Sequence, residues 1–142
     1  PLILGGVTIP FHLGLKGHSD ADVLCHAIGD ALLGAAALGD LGTHFPDTDP
    51  AYKNISSLSL LATIHQKIQK KGFTIGNIDA TLILQKPKIA PFIEAMRITM
   101  ADALAIDSSQ LSVKATTEEN LGFTGSEQGI AAHAVALVQK RV

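Results

Sequence analysis

Charged side chains make up only 17% of this 142-residue chain while apolar ones make up 46%, and the usual charged share is about 25%. Small chains bury a smaller fraction of their surface on folding than large ones do. One core therefore cannot hide this much apolar surface, and a face covered by another copy is expected, which makes the chain a homo-oligomer. The same ratio excludes intrinsic disorder, and the length is that of a single domain.

Other classes fall away with it. The one cysteine, Cys25, allows neither an intrachain disulfide nor a Cys-x-x-Cys zinc or redox motif, which fits a reducing compartment and a cytoplasmic location. Net charge is −2, and the 11 Lys and Arg residues are dispersed rather than clustered with aromatics. No nucleic acid is expected as a partner. The richest apolar stretch, Ala31 to Leu38, is too short to span a bilayer, so no membrane is expected either. The first residue is Pro1 rather than methionine. The native start is thus expected to lie upstream, and a plastid address stays open because no targeting peptide can be read.

Leu2 to Leu4 and Val7 to Ile9 flank Gly5-Gly6, a pair suited to a two-residue hairpin turn, so two short strands open the chain. Ser19 and Asp22 form a Ser-x-x-Asp capping pattern, and apolar residues from Val23 to Leu38 recur at helical spacing; the pattern predicts a helix over Asp20 to Leu38. Residues 39–55 are rich in Gly, Pro, Asp and Thr and read as an irregular loop. A second helix is predicted from Ser56 to Lys71, a strand from Phe73 to Gln85, and a third helix from Pro91 to Ala105. Leu111 to Ala115 and Ile130 to Val138 read as strands, with a loop or short helix over Thr116 to Gln128. Three helices and four or five strands predict an α+β architecture, an α/β sandwich: a four- to five-stranded sheet with helices on one face.

Several groups could carry chemistry. His26 lies four residues from both Asp22 and Asp30, on one helical face; it is either a metal ligand oriented by a carboxylate or a surface histidine paired with acids. Asp40, Asp47 and Asp49 lie in a proline-stiffened segment, where they either accept hydrogen bonds from substrate hydroxyls or close turns. Thr116-Thr117-Glu118-Glu119 and Leu121 to Gly125 offer hydroxyls and amides for phosphate and carboxylates for a divalent cation. Thr116-x-x-Glu119 is equally a capping box, with Glu119 as a structural cap. Lys88 could meet a phosphate or be a solvated turn residue, and no Walker or dinucleotide-binding glycine motif is present.

Taken together, Gly17-His18-Ser19-Asp20-Ala21-Asp22-Val23 with His26, Asp30 to Ala35, Gly39-Asp40-Leu41-Gly42, Phe45-Pro46-Asp47-Thr48-Asp49-Pro50, Gln85-Lys86-Pro87-Lys88 and Lys114 to Gly125 resemble the 2-C-methyl-D-erythritol 2,4-cyclodiphosphate synthase family. The resemblance runs from Leu4 to the end, six motifs in order, and makes residues 1–142 one synthase domain lacking its native N-terminal strand. It implies a phosphorus-oxygen lyase of the non-mevalonate isoprenoid pathway, a homotrimer with active sites between subunits. The implied reaction converts 4-diphosphocytidyl-2-C-methyl-D-erythritol 2-phosphate into the cyclic diphosphate and releases CMP.

Residue by residue, the resemblance makes His26 a zinc ligand and Glu119 the ligand of a second divalent cation, magnesium or manganese. His18 and Ser19 match residues near the 2-phosphate, and His18 and Thr117 match transition-state-stabilising positions. Asp40 and Gly42, with Phe45, Asp47 and Asp49, match the methylerythritol pocket. Leu84 to Ala90, including Lys88, and Thr116-Thr117 match the neighbouring subunit's cytidine and phosphate contacts, and Phe123 is grouped with the substrate-binding positions. Backbone groups between Leu84 and Ala90 are expected to hold the cytidine, with side chains such as Gln85 and Ile89 mattering little. The sequence departs from the family at Ser126, where an arginine is often found facing the trimer's central cavity.

Two other functions share these loops: a ligand-binding module that holds nucleotides without turnover, and a metal-dependent phosphohydrolase. A cyclic product would separate the synthase from both. The family's other two zinc ligands, an Asp-x-His, fall upstream of Pro1. Catalytic zinc normally takes three protein ligands, so the chain starting at Pro1 is expected to bind zinc poorly and be inactive, whereas the protein with its native N-terminus is expected to be a zinc enzyme. Elemental analysis of both forms, purified alike, checks this; stoichiometric zinc in the shorter form would mean that the ligands are misassigned.

Overall fold

The computed structural model describes residues 2–11 and 21–141. The opening hairpin forms as the glycine pair predicts: β1 (Leu2–Leu4) and β2 (Val7–Ile9) pair antiparallel with Leu4 opposite Val7. Gly5 and Gly6 take φ values of 58° and 76°, which glycine adopts without a steric penalty. Space demands glycine as well, since a Cβ at Gly5 would stand 2.8 Å from Met96 and one at Gly6 2.7 Å from Leu58. The turn is thus wedged against two helices far along the chain.

The first of the helices, α1, spans Val23–Ala35. Its N-cap is Asp22, whose side chain accepts from the Cys25 amide at 3.1 Å, whereas the Ser19 and Asp20 of the expected start lie outside the described residues. It stops three residues before Leu38 because Ala37 turns left-handed at φ 57°. The Leu38 amide then bonds the Leu33 carbonyl at 2.8 Å and the Ala37 amide bonds that of Gly34 at 3.0 Å, the closure of a Schellman motif. Residues 39–55 are not wholly irregular: they contain α2 (Leu41–His44) and a 3₁₀ turn, Pro50–Tyr52. After these come α3 (Ser57–Lys70), β3 (Phe73–Ile83), α4 (Ile93–Ala103), β4 (Leu111–Thr116), the single turn α5 (Gly122–Gly125) and β5 (Ala131–Lys140). The α4 helix ends as α1 does, with Ala105 at φ 55° and the Ile106 amide on the Ala101 carbonyl.

The fold is α+β, as expected, and five strands occur among the described residues. They divide unequally. β3 is central in a three-stranded sheet, parallel to β4 and antiparallel to β5, while the hairpin is a sheet of its own. α1 packs on β5 and β3, α3 on β3, and α4 on β4, so the helices cover one sheet face. A bulge at Gly76 shifts the β3–β5 register between Ile75 and Asn77, so that Ile75 and Ile78 both point inward although two residues lie between them, a spacing that would put them on opposite faces of a regular strand. Ala80, Leu82, Leu111 and Val113 continue the inner face. Leu24, Ile28 and Leu32 of α1, Leu61, Ile64 and Ile68 of α3, and Met96 and Met100 of α4 complete the core. The other face of the sheet is left open, with Val135 69% and Leu137 61% exposed. No helix among the described residues is long and apolar enough to cross a membrane.

Asp22 ties these parts together. It is fully buried, and its carboxylate accepts from the amides of Gly5 at 2.9 Å, Gly6 at 2.7 Å and Cys25 at 3.1 Å. Burial pushes its carboxyl above the ordinary range, against the pull of those N–H donors. Stranding buried donors costs about 1–3 kcal/mol, so Asp22→Ala should destabilise the fold by more than the roughly 0.5–2 kcal/mol of a lost N-cap alone. Urea denaturation checks this, and a variant as stable as wild type would refute the role.

Candidate active site

Two hollows on the chain gather most of the residues singled out in the sequence. The first, of about 200 Å³, lies between α1, α2 and the start of α3, and His26, Gly42, Phe45 and Asp47 line it. His26 is in the first turn of α1, its amide bonded to the Asp22 carbonyl at 3.0 Å. The loop over it is held down by Asp30, whose carboxylate accepts from the Leu41 amide at 2.8 Å. Gly29 lets α1 and α3 approach, since a Cβ there would stand 2.8 Å from Ile64.

Asp22 accepts from the amides of the opening turn, and Asp30 from the Leu41 amide of the loop. The His26 imidazole meets Ser57, fully buried at the start of α3, whose Oγ lies 3.5 Å from Nε2. Spacing could not reveal Ser57, which is 31 residues away. Tyr52 and Ile55 also line the hollow unforeseen. Tyr52 stands edge-on to Phe45 with centroids 5.2 Å apart, which makes one apolar wall.

The acidic loop residues divide. Asp40 caps α2, accepting from the Thr43 amide at 3.0 Å and hydroxyl at 2.8 Å, bonds that hold its carboxyl below the ordinary range. Asp49 caps the next turn through the Ala51 amide at 2.9 Å. Both thus close turns, and neither lines the hollow, while Asp47 does.

The second hollow, of about 310 Å³, lies where β3 and β4 end side by side. The ladder continues past β3 through the Leu84 amide on the Thr116 carbonyl at 3.1 Å. Parallel pairing thus delivers two sequence-distant segments to one place: Lys88, from 84–90, and Thr116 and Thr117 line the same space. Lys114 is paired with Asp79 at 2.6 Å, while Lys88 meets no carboxylate among the described residues. Two side chains in 84–90 take part in the fold: Ile89 is in the core at 2% exposure, and Gln85 Oε1 accepts from the Asn120 amide at 3.2 Å.

Glu119 stands outside both hollows at φ 53°, its amide donating to Thr117 Oγ1 at 3.3 Å. It is not a capping-box residue, because α5 begins three residues later with Leu121 at its N-cap and no side-chain cap bond. Its carboxylate has no hydrogen bond or ion pair among the described residues. Phe123, 55% exposed, lines a third hollow on the open sheet face with Leu121 and His133. His18 and Ser19 lie outside the described residues. His26 and Glu119 offer donors suited to divalent cations, yet among the described residues no three His, Cys, Asp or Glu side chains gather. The described residues alone do not complete a metal site.

Known proteins resemble this chain over nearly its whole length. The 2-C-methyl-D-erythritol 2,4-cyclodiphosphate synthase of Agathobacter rectalis is 66% identical over 134 residues, which is 94% of this chain and 76% of that protein. The synthase of Chlorobium phaeobacteroides is 59% identical over 140 residues, 99% of this chain and 88% of that one. Among solved structures, the bifunctional IspDF of Campylobacter jejuni matches with a TM-score of 0.94 at 44% identity, over 99% of this chain but only 38% of the longer one. The CDP complex of IspF from Plasmodium falciparum matches with a TM-score of 0.87 at 36% identity, over 99% of this chain and 85% of that one. Since residues 1–139 match the YgbB family, and close relatives match over nearly all of this chain, it belongs to the YgbB family.

Proposed function

We propose that this chain is a cyclodiphosphate synthase, converting 4-diphosphocytidyl-2-C-methyl-D-erythritol 2-phosphate into 2-C-methyl-D-erythritol 2,4-cyclodiphosphate and CMP. The observation that carries this, within a family whose relatives bear the synthase name, is the meeting of Lys88, Thr116 and Thr117 around one hollow. An ammonium and two hydroxyls suit a nucleotide's phosphates, and the apolar strap beside them suits a pyrimidine. A solved relative that holds CDP supports a cytidine-bearing ligand.

The reaction is an intramolecular phosphoryl transfer. A 2-phosphate oxygen attacks the β-phosphorus, the bond from that phosphorus to the bridging oxygen breaks, and CMP leaves with the electron pair. A phosphate monoester has its second pKa near about 6, so the nucleophile is already ionised at neutral pH. No general base is needed; positioning and charge neutralisation do most of the catalysis. In this reading Thr116, Thr117 and Lys88 hold the diphosphate, with Thr117 and His18 stabilising the transition state. The His26 hollow takes the methylerythritol, where Asp47 and the backbone at Gly42 accept its hydroxyls and Phe45 bounds it. Zinc at His26 with further ligands, and magnesium or manganese at Glu119, would add positive charge at the phosphates.

The two hollows share no lining residue, which supports a site made from the first hollow of one copy and the second of its neighbour. The open sheet face, with Val135 and Leu137 exposed, supports burial between copies, and we assign a homotrimer. Residues 1–142 act as one domain, and a single, buried cysteine, Cys25, fits a cytoplasmic location.

Phosphorus NMR of full-length protein with substrate tests the reaction: cyclic diphosphate supports it, linear products indicate a phosphohydrolase, and no turnover indicates a binding module. Sedimentation should report a trimer at micromolar concentration, and Leu137→Asp, which puts a charge on the apolar face, should dissociate it and lower activity; an active wild-type monomer would remove the shared-site account. Glu119→Gln should lower kcat roughly 10²-fold or more while leaving the melting temperature near wild type, because its carboxylate holds no part of the fold. A clear loss of stability with near-normal turnover would return Glu119 to a structural role.

A further inference from the structure

The turn at Glu119-Asn120 is held in a conformation that ordinary residues avoid. Glu119 has φ 53° and Asn120 φ 65°, two consecutive non-glycine residues in the left-handed region, each of which persists only where its surroundings determine it. Three successive amides show what does so. The Glu119 amide donates to Thr117 Oγ1 at 3.3 Å and the Leu121 amide to the Glu118 carbonyl at 3.0 Å, both within the loop. The Asn120 amide donates instead to Gln85 Oε1 at 3.2 Å, a partner 35 residues away on the other wall of the nucleotide hollow. Gly125 closes the loop from behind, since a Cβ there would stand 2.4 Å from the Asn120 carbonyl carbon.

We infer that Gln85 is a positioning residue, whose amide oxygen clamps the Glu119-Asn120 turn to the 84–90 strap. The strap bears Lys88, and the loop bears Thr116, Thr117 and Glu119. The backbone ladder joins the two segments only as far as Leu84 and Thr116. Beyond that pair, among the described residues, the Gln85–Asn120 bond is what links the strap to the left-handed turn. Its loss frees Glu119 to leave the phosphates while the strap still holds the nucleoside end. Gln85 thereby couples nucleoside binding to the placement of the charged loop, a role that rests on the synthase reading for its effect on turnover but not for the clamp itself.

The test joins amide hydrogen exchange with kinetics on the full-length protein. In Gln85→Ala the Asn120 amide should exchange at least about tenfold faster, in the absence of substrate. The same variant should lose roughly tenfold or more in kcat with KM changed much less, the mark of an interaction needed in the transition state. Gln85→Glu keeps an acceptor at the same reach and should restore Asn120 protection. Should Gln85→Ala fail to fold, Gln85→Asn, whose shorter side chain withdraws the acceptor, takes its place with the same expected losses. Unchanged Asn120 exchange in the truncated variant would overturn the clamp, and a raised KM with wild-type kcat would overturn the positioning role by making Gln85 a ground-state substrate contact. If wild-type protein makes no cyclic product, the synthase reading fails, and the exchange comparison still decides the clamp.

Discussion

The buried carboxylate of Asp22 is the constraint on which the rest of the structure depends. One side chain accepts from both turn amides of the opening hairpin and from the first turn of α1, so a local turn and a helix start become one object. The hairpin can then be pressed into the helix layer, where Gly5 and Gly6 meet Met96 and Leu58 with no room for a Cβ. A carboxylate without water is costly unless hydrogen-bonded, and the backbone N–H groups of a turn and a helix N-terminus are the donors that compensate it. His26 follows within the same turn, so its position in the first hollow is a consequence of that cap.

The second organising element is the parallel pairing of β3 and β4. Parallel strands need a long connection, here the segment containing α4, and their ends then lie side by side. Sequence-distant segments, 84–90 and 116–117, thus share one hollow. The loops beyond the strand ends can vary in sequence while the ladder keeps their roots fixed, which is why open sheets repeatedly place ligands there.

Charge is distributed to match. Lys114 on the open face is neutralised by Asp79, and Asp40 and Asp49 are spent on helix and turn caps. Lys88 and Glu119 keep their charges without partners among the described residues. An acidic protein offers a phosphorylated ligand these few uncommitted groups together with hydroxyls and backbone amides, which suits chemistry that positions a substrate already carrying its nucleophile.

Local interactions explain what was legible in the sequence. The glycine pair predicted the hairpin, helical periodicity predicted α1, α3 and α4, and motif order pointed to the family, because turn chemistry, periodicity and motif spacing each act over a few residues. Helix ends were less legible: Ala37 and Ala105 close helices in a left-handed conformation that glycine usually occupies. The inner face of β3 was hidden by the bulge at Gly76, which breaks the period of two on which strand patterns rest. Contacts at long separation had no signal at all. Asp22 holds the hairpin amides as well as capping the helix, Ser57 takes a place beside the imidazole, and Gln85 reaches the Asn120 amide. By itself the sequence determined the elements and the chemical inventory, since those follow from neighbours along the chain. Which carboxylates are consumed by backbone amides and which are left for chemistry depends instead on groups that packing brings together from distant parts of the chain.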